Sequence, residues 1–271
     1  MKTETGGCTC SCGCHAEPEA RRSAAELFDD AMALRARVGP TEEVLALFRA
    51  AVEGEERSEE KTLLADALLA LGETILDGSG DRSASALQES IRCHQRAERI
   101  FRAAGRRQEA ALCHLNTAVA YLSFGARPSS LKPKIAVQCL RAALADLDRE
   151  SDGPLWESAV LNLANALQQI PPTTNDIVEG GNLVESVALY GELLEARRDD
   201  PDRHAYGRVA ANLGCALGKL GRFDDAERWL HDARRELAAD ADAIEGIDGT
   251  LAEIAAARRR AVDDRSSEAG A

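Results

Sequence analysis

Apolar residues recur along this chain at the three- and four-residue spacing of amphipathic helices. Four stretches align with one another: "DALLALG" from Asp66, "NTAVAYLSFG" from Asn116, "NLANALQQIP" from Asn162 and "NLGCALGKLG" from Asn212. Their first residues lie 46 to 50 positions apart, which is the length of two helices with their turns. The pattern therefore predicts a repeated pair of helices.

The second helix of the pair is clearest in the last copy, where Ala226, Leu230 and Ala233 recur at helical spacing. Gly221 between the two helices suits the left-handed residue that ends a helix, and the small Gly214 lets two backbones approach closely. The same second-helix pattern occurs in two earlier copies, at Ala136, Leu140 and Ala143 and at Ser186, Tyr190 and Leu193. Each copy is predicted to form a helical hairpin.

The segments on either side of the repeats also indicate helices. Ser23 stands three residues ahead of Glu26, which is the pattern of a capping box, and "TEEVLALFRAAVEG" follows as a second helix. We therefore divide the chain into a flexible Cys-rich leader, a degenerate N-terminal hairpin, a repeat array, C-terminal capping helices and a disordered tail. Their bounds are 1–20, 21–57, 58–237, 238–262 and 263–271.

These paired motifs resemble tetratricopeptide repeats (TPRs), whose signature carries Leu-Gly, an aromatic residue or Leu, Gly and then Ala-Leu-Ala. The period exceeds the customary 34 residues because "RPSSLKPK", "IPPTTNDIVEGGN" and "RRDDPDRHAYG" lengthen the turns and connectors. The stretch from Leu183 to Leu217 is similar to long bacterial repeats associated with caspase-like proteases and, more distantly, to kinesin light chain repeats. The resemblance implies an all-α, right-handed superhelical solenoid of about five antiparallel hairpins.

Composition and charge narrow the function. The chain is 45% hydrophobic but only 4% aromatic, and Ala and Leu supply most of the apolar surface, as in packed helices. A formal net charge of −13 repels nucleic acid and anionic membranes, so we expect neither as a partner. The sequence contains no long apolar segment and no apolar core of a secretory signal, so we expect a cytoplasmic protein.

The TPR resemblance implies that the polar residue opening each first-helix motif faces a concave, peptide-binding groove. These residues are Asp66, Asn116, Asn162 and Asn212. An Asn amide can donate to and accept from the main chain of an extended peptide, or it can merely cap a neighbouring carbonyl between repeats. Five further polar residues lie one turn or two turns away on the same helical faces: Ser158, Asn165, Gln169, Arg208 and Lys219.

No catalytic motif is present, so we expect a non-catalytic scaffold that binds a protein or peptide and requires no cofactor. The sequence sets no oligomeric state. A peptide-sensing regulator is a further hypothesis, but the chain has no DNA-binding segment to act as its output.

The leader carries the only other candidate chemistry, "CTCSCGCH". Its alternating thiols suit Cu(I) or a small thiolate cluster better than a closed zinc site. The candidate ligands for Cu(I) or Zn(II) are Cys8, Cys10, Cys12, Cys14 and His15. The alternatives are a metal-handling protein docked by its repeats, and a thiol-rich tail that is inert or modified.

Two Cys-His pairs lie within the predicted helices, Cys93-His94 and Cys113-His114. Adjacent residues on a helix diverge by about 100°, so a pair cannot easily chelate one ion. We predict that both histidines pack in the core.

Overall fold

The computed structural model describes residues 22–58, 61–78, 83–124, 131–170 and 181–268. This part of the chain forms eleven α-helices and no strand. The helices are α1 (Ala24–Val38), α2 (Glu42–Glu55), α3 (Thr62–Asp77), α4 (Ala84–Ala103), α5 (Arg107–Ser123), α6 (Lys132–Asp146), α7 (Gly153–Gln168), α8 (Gly181–Ala196), α9 (Arg203–Lys219), α10 (Phe223–Glu236) and α11 (Ala241–Glu268).

Consecutive helices pack as five hairpins, α1–α2, α3–α4, α5–α6, α7–α8 and α9–α10, and α11 follows them. In the last hairpin Gly207 lies against Leu237 and Gly214 lies against Leu230, so the two helices run antiparallel. The predicted all-α fold of repeated helical hairpins is confirmed.

Neighbouring hairpins pack mainly through the second helix of one and the first helix of the next. Several first helices also meet one another directly: α3 contacts α5, α5 contacts α7, α7 contacts α9, and α9 contacts α11. We call the surface formed by these helices the first-helix face. The surface formed by α2, α4, α6, α8 and α10 is the second-helix face.

The predicted helix ends are present. Ser23 accepts a hydrogen bond from the Glu26 backbone N–H, and the Glu26 carboxylate accepts one from the Ser23 backbone N–H, which completes the capping box. Gly221 has φ of 74°, the left-handed conformation that only glycine adopts without strain, and it separates α9 from α10. This geometry allows a turn of three residues between two antiparallel helices.

In the hairpins α3–α4 and α9–α10, a glycine on the first helix lies against a larger side chain on the second. A Cβ added at Gly214 would lie 2.6 Å from Leu230 Cγ, so a side chain at position 214 would separate the helices. All nine residues predicted to form the buried stripe of a second helix are buried: Ala136, Leu140, Ala143, Ser186, Tyr190, Leu193, Ala226, Leu230 and Ala233.

The helices lie within the predicted divisions as follows. α1 and α2 lie within 21–57, and α3 to α10 lie within 58–237. A single helix, α11, follows and continues past position 262 to Glu268. Among the described helices, none is both long enough and apolar enough to span a membrane.

Candidate functional site

The register of the repeats is fixed by a hydrogen bond that recurs in two hairpins. Ser90 Oγ donates to the carbonyl of Gly72, and Ser186 Oγ donates to the carbonyl of Ala164. Gly72 of α3 and Ala164 of α7 are therefore equivalent. Two residues before each of them stand Ala70 and Asn162.

The predicted alignment of Asp66 with the asparagines is thus wrong by one helical turn. Asp66 and Asn212 each precede a glycine by six residues, which produced the sequence match. Gly72, however, lies against the second helix of its hairpin as Gly214 does. Asp66 therefore corresponds to Ser158 and Arg208 instead.

The position one turn before the asparagine differs from repeat to repeat, being Asp66, Ser158 or Arg208. The Asp66 carboxylate accepts from Arg106 Nη1 at 3.0 Å, so it is engaged in an ion pair. Ser158 is exposed, and its hydroxyl donates to the Pro154 carbonyl. Arg208 is exposed, and no described carboxylate lies within ion-pair distance of it.

Two of the three asparagines bind the first helix of the preceding hairpin. Asn116 Nδ2 on α5 donates to Glu73 Oε1 on α3 at 3.2 Å, and Asn212 Nδ2 on α9 donates to Asn165 Oδ1 on α7 at 3.1 Å. Asn165 Oδ1 also accepts from the Tyr190 hydroxyl at 2.6 Å. These bonds tie neighbouring hairpins together at equivalent positions.

Asn162 departs from this arrangement. On α5, the position equivalent to Glu73 and Asn165 is occupied by Val119, which offers no acceptor. Asn162 Nδ2 instead donates to the Ser158 carbonyl of its own helix at 2.9 Å.

All three asparagines are half-buried, and the side-chain carbonyl oxygen of each accepts no hydrogen bond from a described residue. Each amide nitrogen donates one hydrogen bond, whereas no described donor reaches the Oδ1 atoms of Asn116, Asn162 and Asn212. Main-chain amides prefer to be hydrogen-bonded, so a free acceptor at this depth suits a peptide N–H. The Nδ2 atom of each amide is therefore bonded within the protein, and its Oδ1 atom stays available to a ligand.

Gln168 lies at the C-terminal end of the first-helix face and bonds two residues of α9, whereas its neighbour Gln169 was the residue predicted to line the groove. Gln168 Nε2 donates to the Asn212 carbonyl at 3.2 Å, and its Oε1 accepts from Lys219 Nζ at 2.8 Å. Gln169 is the C-cap residue that follows α7. The two residues are adjacent, and only the exact helix phase distinguishes them.

Lys219 borders a cavity of about 450 Å³ between α9 and α11. Cys215, Phe223 and Ile254 contribute apolar surface, and Glu253 contributes a carboxylate. Desolvation lowers the pKa of the Lys219 ammonium, while Cys215 and Glu253 act in the opposite direction. The cavity pairs an apolar wall with a cationic rim.

The proposed metal ligands Cys8, Cys10, Cys12, Cys14 and His15 lie outside the described residues. Within the described part of the chain, no group of three or more His, Cys, Asp or Glu side chains is placed to hold a metal ion.

Three of the four residues in the two Cys-His pairs are buried. Cys93 and Cys113 are buried, and burial raises the pKa of Cys93 to about 12 and that of Cys113 further. His94 is completely buried, as predicted. His114 is only half-buried, because its Nε2 lies 3.2 Å from Arg102 and 3.5 Å from Glu98 near the surface.

Comparison with solved structures identifies the same architecture elsewhere. A kinesin light chain protein with nearly identical TPR-like repeats from Podospora anserina superposes with a TM-score of 0.58 and 15% identity, covering 80% of this chain and 96% of that one. BtubC (BKLC) from P. vanneervenii gives a TM-score of 0.58 and 16% identity, covering 80% and 89%. No sequence-family model matches the chain, and no curated protein matches it.

At this level of identity the similarity establishes the fold, which is TPR-like as the motifs predicted. The predicted resemblance to kinesin light chain repeats is confirmed at the level of fold. The likeness to arrays associated with caspase-like proteases stays a prediction.

Proposed function

We propose that the protein is a non-catalytic scaffold that binds an extended peptide or protein segment across its first-helix face. The observation that carries this proposal is the row of half-buried asparagines on α5, α7 and α9, each with a free Oδ1. A repeated acceptor at a fixed register is what an extended main chain needs.

The spacing of the row fits such a ligand. Packed helices are about 8 to 10 Å apart, and an extended chain in the polyproline II conformation advances about 3.1 Å per residue and repeats its orientation every three residues. Every third N–H of a peptide crossing α5, α7 and α9 would therefore meet an asparagine, at Asn116, Asn162 and Asn212.

Charge at the C-terminal end of the row gives the ligand a direction. Arg208 lies one turn before Asn212, forms no ion pair within the described residues and has Asp240 as its electrostatic neighbour. Lys219 lies two turns after Asn212 and bonds Gln168. We expect the peptide to place an acidic side chain or its C-terminal carboxylate against these cations.

Phage display of random peptides against the full chain tests this proposal. Selected peptides are expected to lose at least tenfold in affinity on Asn162→Ala with Arg208→Gln, measured by fluorescence anisotropy. These two residues make no bond to a neighbouring hairpin, so thermal unfolding should change little.

The matched control is Gln88→Ala with Gln138→Ala, which removes two exposed amides from the second-helix face. Affinity for the same peptides should stay within twofold of wild type. Equal losses in both double variants, or none in either, would contradict the groove proposal.

We further propose that the leader binds Cu(I) or Zn(II) through Cys8, Cys10, Cys12, Cys14 and His15. Support comes from the sequence, where four thiols and an imidazole fall within the eight residues "CTCSCGCH" and the alternating thiols suit a soft metal ion. In the reducing cytoplasm proposed for this protein, the leader thiols stay available.

Metal titration of anaerobically reduced protein against a chromophoric chelator tests the leader. The full chain should take up more metal than a chain lacking residues 1–16, while both retain the same helical circular dichroism. Equal uptake would assign the metal to the helical cysteines instead, and no uptake by either protein would exclude the proposal.

A further inference from the structure

A second concave site lies on the opposite side of the array from the asparagine row. α2 and α4 of the second-helix face enclose a cavity of about 480 Å³. We call it the α2–α4 slot. Its floor is apolar and consists of Val52, Leu68, Leu71 and Cys93.

Two cross-helix ion pairs frame the slot. Arg49 on α2 donates to both carboxylate oxygens of Glu89 on α4, at 2.9 and 3.0 Å. Arg96 on α4 donates to both oxygens of Glu56 beyond the end of α2. These bidentate pairs hold the two helices at a fixed separation.

Two further arginines on the wall of the slot have no carboxylate partner. Arg92 is exposed, and no described side chain bonds its guanidinium. Arg99 is exposed as well, and only its Nε is used, in a bond to the Gln95 carbonyl of its own helix. Two free guanidinium groups thus stand over an apolar floor.

Other hairpins hold their second helices together without arginines equivalent to Arg92 and Arg99. Arg141 on α6 bonds Glu185 on α8, as Arg49 on α2 bonds Glu89 on α4. A second pair, Arg149 with Glu192, takes the place of Glu56 with Arg96, with the positive and negative residues exchanged. On α8 the positions equivalent to Arg92 and Arg99 are occupied by Ala188 and Glu195.

α10 does carry arginines at the equivalent positions, Arg228 and Arg235. Both are paired within their own helix, with Asp225 and Asp232. Among the described second helices, the unpaired arrangement is confined to α4, which has Arg92 and Arg99, since α6 has Gln138 and Ala145 there.

We propose that the α2–α4 slot binds an extended acidic peptide segment with two carboxylates three residues apart and an aliphatic side chain between them. Arg92 and Arg99 are seven residues apart on one helix, which separates them by about 10.5 Å along the axis. An extended chain in the polyproline II conformation advances about 3.1 Å per residue with three residues per turn, so two side chains three residues apart point the same way and lie about 9 Å apart. The aliphatic side chain then covers Val52 and Leu68 on the floor.

Charge makes the site selective. The chain carries a formal net charge of −13, so its overall field repels anions that make no specific contact. A ligand that is held here needs carboxylates placed on both arginines and an apolar group that removes the floor from water. This site is independent of the asparagine row, and either proposal can fail alone.

The probe is a fluorescein-labelled peptide, Ser-Gly-Glu-Leu-Ser-Glu-Gly-Ser, titrated with full-length protein and followed by anisotropy. A second probe replaces the leucine by glycine and tests the floor. We expect the leucine peptide to bind at least fivefold more tightly than the glycine peptide.

Arg92→Gln with Arg99→Gln should weaken binding of the leucine peptide at least tenfold. The control, Arg37→Gln with Arg107→Gln, removes two exposed arginines from other elements and changes the net charge equally, so binding should stay within twofold. Thermal unfolding of both variants should match wild type, because all four side chains are exposed.

Val52→Thr keeps the shape of the floor and adds a hydroxyl, so it should reduce the preference for leucine over glycine. If the two double arginine variants weakened peptide binding equally, net charge alone would explain the loss and the proposal would be overturned. Displacement of the probe by inorganic phosphate as effectively as by unlabelled peptide would overturn the peptide assignment, and so would a leucine peptide that fails to bind wild type.

Discussion

At the scale of single residues, His94 is the least satisfied group in the core. It is completely buried on α4, its ring lies against Gly72, and neither ring nitrogen has a hydrogen-bond partner. Burial lowers the pKa of His94 to about 4, because the cation would lose its hydration. Leu230 occupies the equivalent position in the last hairpin, so the fold does not need an imidazole there.

His94 makes stability depend on pH. Its pKa is lower in the folded state than the value of 6.5 expected when unfolded, so the unfolded chain binds the proton more readily. Protonation of the histidine therefore affects stability little above pH 7, and the free energy of unfolding falls as the pH drops from about 6.5 toward 4. We expect a loss of about 2 kcal/mol between pH 7 and pH 5 from this residue.

His94→Leu should remove that component, as measured by urea unfolding at pH 7 and pH 5. The control His231→Leu changes an exposed histidine and should leave the pH dependence as in wild type. An unchanged pH dependence in His94→Leu would show that the buried ring is not its source.

Glycines provide a second prediction at this scale. A Cβ on Gly72 would overlap the His94 ring, whereas a Cβ on Gly191 of α8 would meet nothing within 4 Å. We expect Gly72→Ala to destabilise by about 1 to 3 kcal/mol through overpacking, and Gly191→Ala to stabilise by up to about 1 kcal/mol through helix propensity. Thermal unfolding measures both, and the same sign for both would contradict this account.

At the scale of helices, α11 covers the end of the stack. Ile247 and Ile254 are each 4% exposed, and Ile254 lies against Gly218 of α9. Thr250 Oγ1 lies 3.7 Å from Cys215 Sγ, where Asn212 meets Asn165 one repeat earlier. α11 therefore occupies the place of a further first helix.

Ile254→Ala should cost about 2 to 4 kcal/mol, because the side chain is almost completely buried and packs against Gly218 of α9. Val184→Ala on α8 is the control, and it should cost less than about 1 kcal/mol because Val184 is 45% exposed. Tryptophan fluorescence during urea unfolding reports both, since Trp156 and Trp229 pack on the same cluster as Ile254. A cost below 1 kcal/mol for Ile254→Ala would mean that α11 is not a stabilising cap.

The helices themselves were predictable from sequence, because their buried stripes repeat at the helical period, as Ala226, Leu230 and Ala233 do. Register was harder. The predicted alignment of Asp66 was wrong by one turn, because a polar residue six positions before a glycine fits more than one helical phase. Gln169 as a groove residue stays a prediction. The bonds that decide the phase, such as Asn116 to Glu73, join residues 43 positions apart.

The α2–α4 slot was not predictable for the same reason. Arg49 and Glu89 are 40 positions apart, and nothing in the sequence distinguishes their pair from the unpaired Arg92 nearby. An arginine without an ion-pair partner can be identified only when the structure shows which carboxylates its neighbours bind.

At the scale of the whole molecule, buried residues form three clusters in chain order. One extends from Ala31 to Cys113, one from Leu115 to Ile170, and one from Val160 to Ile254. Each hairpin contacts its neighbours, so stability is approximately a sum of local terms and nearest-neighbour interfaces. Such a molecule need not open everywhere at once.

This organisation predicts reciprocal local effects of two core truncations. Phe48 is completely buried in the first cluster and Leu230 in the last. Phe48→Ala should accelerate amide hydrogen exchange in α1 to α4 and leave α9 to α11 close to wild type, while Leu230→Ala should do the opposite. Both substitutions remove buried volume, at a cost of about 2 to 5 kcal/mol, so each serves as the control for the other. Exchange measured by mass spectrometry on peptic fragments distinguishes the two ends. If either variant accelerated exchange equally at both ends, the array would unfold as one cooperative unit, and binding at the α2–α4 slot would then be coupled to the stability of the distant asparagine row.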